Sequence, residues 1–263
     1  MDIKILTVNY KENYRMPEGK MYYPIQVGRA EKNFEGHLRD NTGDNIAHMN
    51  VRLCELTVIY WAWKNLKADY IGLVHYRRHF TGKNLFERLI CKDKFQCVLS
   101  KAELEKELKA CDVIVPNKRK YYIETMESHY LHLPFIYEKD YRVLRDVISK
   151  LCPEYLDSYD LVFHRTWAHM FNIFVMKRDL FDRYCEWLFP ILFECDKRID
   201  VTGYTPEGVR AVGYYGEYML DIWMEKNKIP YKEIDVMFME KQNWIKKGGT
   251  FLIRKFFPKK VAL

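Results

Sequence analysis

With 263 residues, 48% of them hydrophobic, the chain can bury one sizeable core, and its 12 Gly and 9 Pro are too thinly spread to mark a linker, a fibre or a disordered segment. The formal net charge is +7, but seven of the 43 Lys and Arg fall in residues 241–263, which hold no acid; the excess therefore belongs to the tail, and residues 1–240 are balanced. No apolar run approaches the roughly 20 residues that cross a bilayer, and Met1 to Val8 lacks the features of a signal peptide, so the expected location is the cytoplasm.

Ile3 to Val8 reads as a short buried strand, and Asn9 to Asn13 as the loop at its carboxyl end, where open α/β sheets bind ligands. Residues 15–45 carry turn chemistry without a helical period and read as one long loop. Asn50 to Asn65 follows as a largely buried helix. Tyr70 to Val74 is the clearest buried strand and ends in the charged burst His75-Tyr76-Arg77-Arg78-His79. A polar helix over Lys101 to Ala110 leads into a strand at Val113 to Val115, stopped by Pro116. A helix is expected from Glu138 to Lys150, a strand over Phe171 to Met176, an amphipathic helix from Asp179, and a last helix from Glu217 to Lys226. Strands alternating with helices predict a mainly parallel sheet covered on both faces. The seven Cys are odd in number and form no C-x-x-C pair, which fits scattered reduced thiols.

Absences narrow the chemistry. There is no Gly-rich phosphate loop, no G-x-S-x-G elbow and no H-E-x-x-H, so NTPase, dehydrogenase, α/β-hydrolase and zincin readings lose their support. Adjacent guanidinium groups at Arg77 and Arg78, after a buried strand, suit a diphosphate clamp, and the His75 imidazole adds a donor; the competing reading is an Arg pair in edge salt bridges. Asp40-Asn41-Thr42-Gly43-Asp44-Asn45 suits a tight turn and, equally, contacts to a ribose or base. Glu217, after Gly213-Tyr214-Tyr215-Gly216, is either a helix cap or a base for an acceptor hydroxyl. In the tail, Trp244, Phe251, Phe256 and Phe257 interleave with the charges. That composition suits an anionic membrane surface and, equally, a solvated helix end with a few anchors; nucleic acid is not an expected partner.

Taken in order, Tyr23 to Gly28, Asp40 to Ile46, Asn50, Cys54-Glu55-Leu56-Thr57, Tyr60 to Asn65, Gly72 to Arg78, Asn172 to Met176, Tyr184 to Phe189 and Gly213 to Trp223 resemble the DUF4422 family of bacterial polysaccharide-synthesis proteins. The resemblance covers most of the chain. It implies a GT-A-like, Rossmann-like α/β domain over residues 1–240, followed by the basic aromatic tail over 241–263. It further implies a glycosyltransferase that moves a hexose, galactose or galactofuranose among the candidates, from a UDP-sugar donor to a lipid-linked glycan acceptor. The product would be a capsule, exopolysaccharide or O-antigen glycan, made by an enzyme peripheral on the inner face of the plasma membrane.

GT-A enzymes usually hold a divalent metal on the diphosphate with an Asp-x-Asp, and this chain has none, offering His75-x-Arg77 at the comparable strand end. Cationic side chains are therefore expected to replace some or all of the metal's charge, with Asp44 left open as a ligand for Mn or Mg and no cofactor fixed. Within the resemblance, Glu217 is the base of an inverting displacement, starting a late helix, and Arg77 and Arg78 stabilise the departing diphosphate. Asn9, Lys11, Asp44, Asn45 and Asn50 are assigned to the donor, and His169 and Asn172 to the acceptor. The rival class is a non-catalytic nucleotide- or glycan-binding subunit that assists a partner transferase; a third reading is a glycan phosphotransferase.

Overall fold

A computed structural model describes residues 1–28, 32–241 and 249. The tail residues Trp244, Phe251, Phe256 and Phe257 lie outside the described residues. The strands in chain order are β1 (Ile3–Asn9), β2 (Tyr22–Gln26), β3 (Leu38–Arg39), β4 (Tyr70–His75), β5 (Arg78–Phe80), β6 (Val113–Pro116), β7 (Arg119–Lys120), β8 (Trp167–Ala168), β9 (Phe174–Lys177), β10 (Lys232–Ile234) and β11 (Val236–Phe238). The helices are α1 (Asn50–Leu53), α2 (Leu56–Asn65), α3 (Leu85–Ile90), α4 (Lys101–Leu108), α5 (Met126–Leu131), α6 (Glu138–Leu151), α7 (Leu156–His164), α8 (Arg178–Arg198) and α9 (Ala211–Asn227).

Alternation along the strands sorts their side chains into two cores. Leu6, Val8, Ile71, Leu73, Val113, Val115, Phe174 and Met176 join one cluster, beneath α2 and α6 to α9. Ile3, Ile5, Tyr70, Val74, Ile114 and Val175 join the other, with Leu104 and Leu108 of α4, Phe80 of β5 and Met237 of β11. Successive strand residues point to opposite faces, so strands apolar at every position must be covered on both.

The sheet order is β10-β6-β9-β4-β1-β2-β3, with β5 joining β4 to β11. β1 pairs in parallel with β2 and β4, β2 with β3, and β6 with β10. β9 runs against both β4 and β6, so β6 points the same way as β4 and β1. The carboxyl ends of β1, β4 and β6 and the amino end of β9 therefore share one edge.

Two expectations are corrected. Residues 15–45 are not one long loop, because Tyr22–Gln26 and Leu38–Arg39 add two strands to the sheet; Pro24, opposite Thr7, and the mixed burial of β2 hide its period. The last helix begins at Ala211 rather than Glu217. Its first turns rest on the α1–α2 junction, where a Cβ on Gly213 would meet the Arg52 carbonyl at 3.0 Å and one on Gly216 the Leu56 side chain at 2.8 Å. Two glycines one helical turn apart thus let the α9 backbone approach this junction closely. All seven cysteines are free. Among the described residues, no helix is long and apolar enough to cross a membrane.

Candidate active site

The shared edge gathers five segments distant in sequence. The first is the α1–α2 junction. Cys54 breaks the helical path with φ 52° and ψ −133°, and Asn50 Nδ2 holds the Cys54 carbonyl at 2.8 Å and Thr57 Oγ1 at 3.1 Å. Glu55 follows this break. The second is Phe171-Asn172, where both residues have positive φ, 85° and 52°, immediately before β9. Non-glycine residues in such conformations carry strain of order 1–3 kcal/mol each and cluster at functional sites. Here both strained segments meet, because Asn172 Nδ2 donates to Glu55 Oε1 at 3.0 Å.

The third segment is α9. The Phe171 backbone N–H donates to the Glu217 carboxylate, whose pKa is raised from 4.5 to about 7 by burial and by the Glu55 charge, against the pull of Arg78 and Arg119. Glu217 is half-buried, so its carboxyl is shielded and still reachable from solvent. The fourth is the β4–β5 hairpin with Tyr76 and Arg77 at its turn. The Met239 N–H donates to the Arg77 carbonyl at 3.0 Å, which ties the turn to β11. The fifth is β7, which carries Arg119.

Sequence reading treated Arg77 and Arg78 as one clamp, and the hairpin separates them. Arg77 is exposed, its guanidinium 5.3 Å from the centre of its neighbour Tyr76. Arg78 is half-buried, 4.2 Å from the centre of Phe171, and its charge acts on both Glu217 and Glu55. Arg119 approaches the same ring at 5.4 Å. The guanidinium pair beside the carboxylates is therefore Arg78 and Arg119. Nδ1 of His75 accepts the Arg77 N–H at 3.2 Å, and burial together with Arg77, Arg78 and His79 holds its pKa down to about 3. The ring is thus neutral at physiological pH, with Nε2 carrying the proton and able to donate it in a hydrogen bond.

Other expected site residues fall elsewhere. Asn9 is buried, its amide engaged with both backbone groups of Lys11 and with His37, so it shapes the loop after β1. Lys11 lies nearby, paired with Glu240 at 2.9 Å. Asp44 and Asn45 are not at this edge. Asp44 is held by Asn65 at the carboxyl end of α2, about 15 Å along the helix from Glu55. Asn45 closes its own turn onto Gly43. His169 is buried at the next turn of α9, its Nδ1 at 2.5 Å from Asp221, which also takes Arg165 at 2.5 Å. A buried carboxylate needs such partners, so His169 is a structural partner rather than an exposed acceptor contact. Asn172 does reach the site.

Glu55 and Arg119 were not singled out from sequence. Glu55 stood inside a quoted motif with no chemical pattern of its own, and Arg119 sits in a run of three basic residues that reads as solvated surface. Among the described residues, no group of three or more His, Cys, Asp or Glu is placed to hold a metal ion. The polar groups gathered at this edge are two carboxylates, which accept, and two guanidinium groups, an amide and a neutral imidazole, which can donate. Together they can bind an anion beside a base that titrates near neutrality.

Comparisons with known proteins agree with this fold. The apo structure of the bifunctional glycosyltransferase WbbM superposes with a TM-score of 0.81 at 28% sequence identity, covering 92% of this chain and 46% of that one. The chain therefore spans about half the length of the structure it matches. The expected GT-A-like α/β architecture with a mainly parallel sheet is the one observed. No curated protein matches the chain. The family model described as a domain of unknown function, DUF4422, matches residues 4–228, and the chain belongs to that family.

Proposed function

We propose that the chain is a glycosyltransferase that moves a hexose from a UDP-sugar to a glycan hydroxyl, with Glu217 as the base. The observation that carries this reading is the half-buried Glu217 carboxyl, raised to about 7 and acted on by Arg78 and Arg119. The likeness to a bifunctional glycosyltransferase supports it. In the proposed step Glu217 takes the proton from the acceptor hydroxyl as its oxygen bonds to the anomeric carbon. The bond from that carbon to the diphosphate breaks with inversion, and UDP leaves with the electron pair. Arg78 and Arg119 stabilise the charge that builds on the diphosphate, and His75 donates a neutral hydrogen bond.

In the same reading, residues 1–240 form the transferase domain, and the tail over 241–263 rests on the inner face of the plasma membrane, where a lipid-linked glycan is the acceptor. Galactose and galactofuranose are the first donor sugars to try. Calorimetric titration of UDP against GDP and CMP, with and without manganese, tests the donor. Turnover of UDP-galactose with a lipid-linked glycan tests the transfer. Selective UDP binding with UDP release on acceptor addition is expected. Absence of nucleotide binding under every condition would assign the chain instead to a non-catalytic partner of another transferase.

A further inference from the structure

Helix α3 forms with no core to fold against. Its start is fixed locally: Asn84 Oδ1 accepts from the Glu87 N–H at 2.9 Å, and the Glu87 carboxylate accepts from the Asn84 N–H at 2.7 Å, a reciprocal cap. Its place is fixed by Arg88, which reaches Asp235 at 2.7 Å. None of its residues is buried. Leu85, Phe86, Leu89 and Ile90 are 72%, 69%, 82% and 63% exposed, and their spacing gathers them on one stripe. A stripe of large apolar side chains that the fold builds and holds in water marks a docking surface.

The charge around the stripe indicates what it meets. Lys83 and Arg88 are paired with Glu103 and Asp235, and Asp93 with Arg15 at 2.8 Å. Lys92 is exposed and makes no ion pair among the described residues. Lys94 is exposed and, among the described residues, donates to the neutral carbonyls of Phe238 and Met239, at 2.8 and 3.0 Å, and makes no ion pair. Set against the Glu87 carboxylate that caps the helix, Lys92 and Lys94 still leave this face with a positive surplus. A second copy of the chain would set these cations against themselves, whereas an anionic lipid surface complements both the cations and the apolar stripe. The contact to Met239, whose N–H is bonded to the Arg77 carbonyl, also sets this face beside the hairpin turn of the candidate site.

We infer that α3 is an interfacial anchor. Leu85, Phe86, Leu89 and Ile90 enter the boundary between headgroups and acyl chains of an anionic bilayer, and Lys92 and Lys94 meet the lipid phosphates. This goes beyond the membrane contact proposed for the tail, because apolar insertion is placed on the folded part of the chain, and it assumes nothing about the reaction.

The test is flotation of the full chain with vesicles of phosphatidylglycerol and phosphatidylethanolamine, against phosphatidylcholine vesicles. Two variants are compared: Leu85→Asp with Leu89→Asp, and a tail variant with Lys246, Lys247, Lys259 and Lys260 all changed to Gln. Wild type is expected to float with the anionic vesicles only, and the α3 variant to lose about tenfold in partitioning at an unchanged melting temperature. An α3 variant that floats like wild type overturns the inference, including the case in which only the tail variant is lost. So does a wild type that fails to float, or one whose dimer in sedimentation is abolished by the α3 changes.

Discussion

The Asn172 amide donates to Glu55 at 3.0 Å across 117 positions of chain, and it does so from a left-handed backbone conformation, φ 52°. The Glu55 charge held in this contact is one reason the Glu217 carboxyl sits near 7. Glu55→Gln removes that charge, so the Glu217 pKa falls and the acid limb of the pH–rate profile moves to lower pH. A rate profile from pH 5 to 9 for wild type and variant checks the direction. An unmoved limb would separate the two carboxylates.

As a base, Glu217 must be ionised, so kcat is expected to rise with pH and level off above about 7. Glu217→Gln is expected to lower turnover by about 10³-fold while UDP binding stays within a few-fold.

The same shift has an opposite sign for stability. A carboxyl raised from 4.5 to about 7 contributes stability that is full below 4.5 and is lost as pH rises through 7. Glu217→Gln is therefore expected to melt like wild type near pH 4 and to be more stable at pH 8, by ~1–3 kcal/mol after allowing for the residue's partial exposure. Thermal unfolding at the two pH values measures the difference.

The separation of the two hairpin arginines predicts unequal variants. Arg78→Ala is expected to weaken UDP binding by about 10–100-fold, and Arg77→Ala, at an exposed turn, by only a few-fold. Because Arg78 holds the Glu217 pKa down, its loss also moves the acid limb to higher pH, opposite to Glu55→Gln. Calorimetry and rate profiles on the two variants check both statements, and equal effects would restore a joint clamp.

The approach of α9 to the α1–α2 junction predicts a second contrast. A Cβ at position 213 meets backbone, the Arg52 carbonyl at 3.0 Å, whereas one at 216 meets the movable ends of Leu56 at 2.8 and 2.9 Å. Gly213→Ala is expected to destabilise by ~1–3 kcal/mol and to lower activity by displacing Glu217; Gly216→Ala is expected to cost less. Denaturant titrations of both variants provide the comparison.

The central strands were legible because burial on both faces writes continuous apolar runs, as in Tyr70 to Val74 and Val113 to Val115. β2 was hidden by Pro24 and by a half-exposed pattern. The run Phe171 to Met176 reads as one strand, yet β9 starts only at Phe174, because positive φ at Phe171 and Asn172 leaves no mark in hydropathy. For the same reason Glu55 was invisible as a site residue. Its position depends on the Cys54 conformation and on the close packing of Gly213 and Gly216, and each is a relation between segments rather than a motif. Asp44 shows the converse: its turn-rich polar cluster carries no sign in the sequence that Asn65 holds it at the far end of α2.

The reversed direction of β9 bears on how the molecule comes into being. β9 lies between β4 and β6, so the two groups of parallel strands join only after about 170 residues of chain exist to supply it. Glu55, made early, then waits for Asn172, and Asn172 and Glu55 wait for Glu217. Contacts of such long sequence separation close late and slowly. Assembly of the candidate site is thus a property of the last folding events, and nascent or truncated chains that stop before α9 carry both Arg78 and Arg119 with no Glu217 beside them.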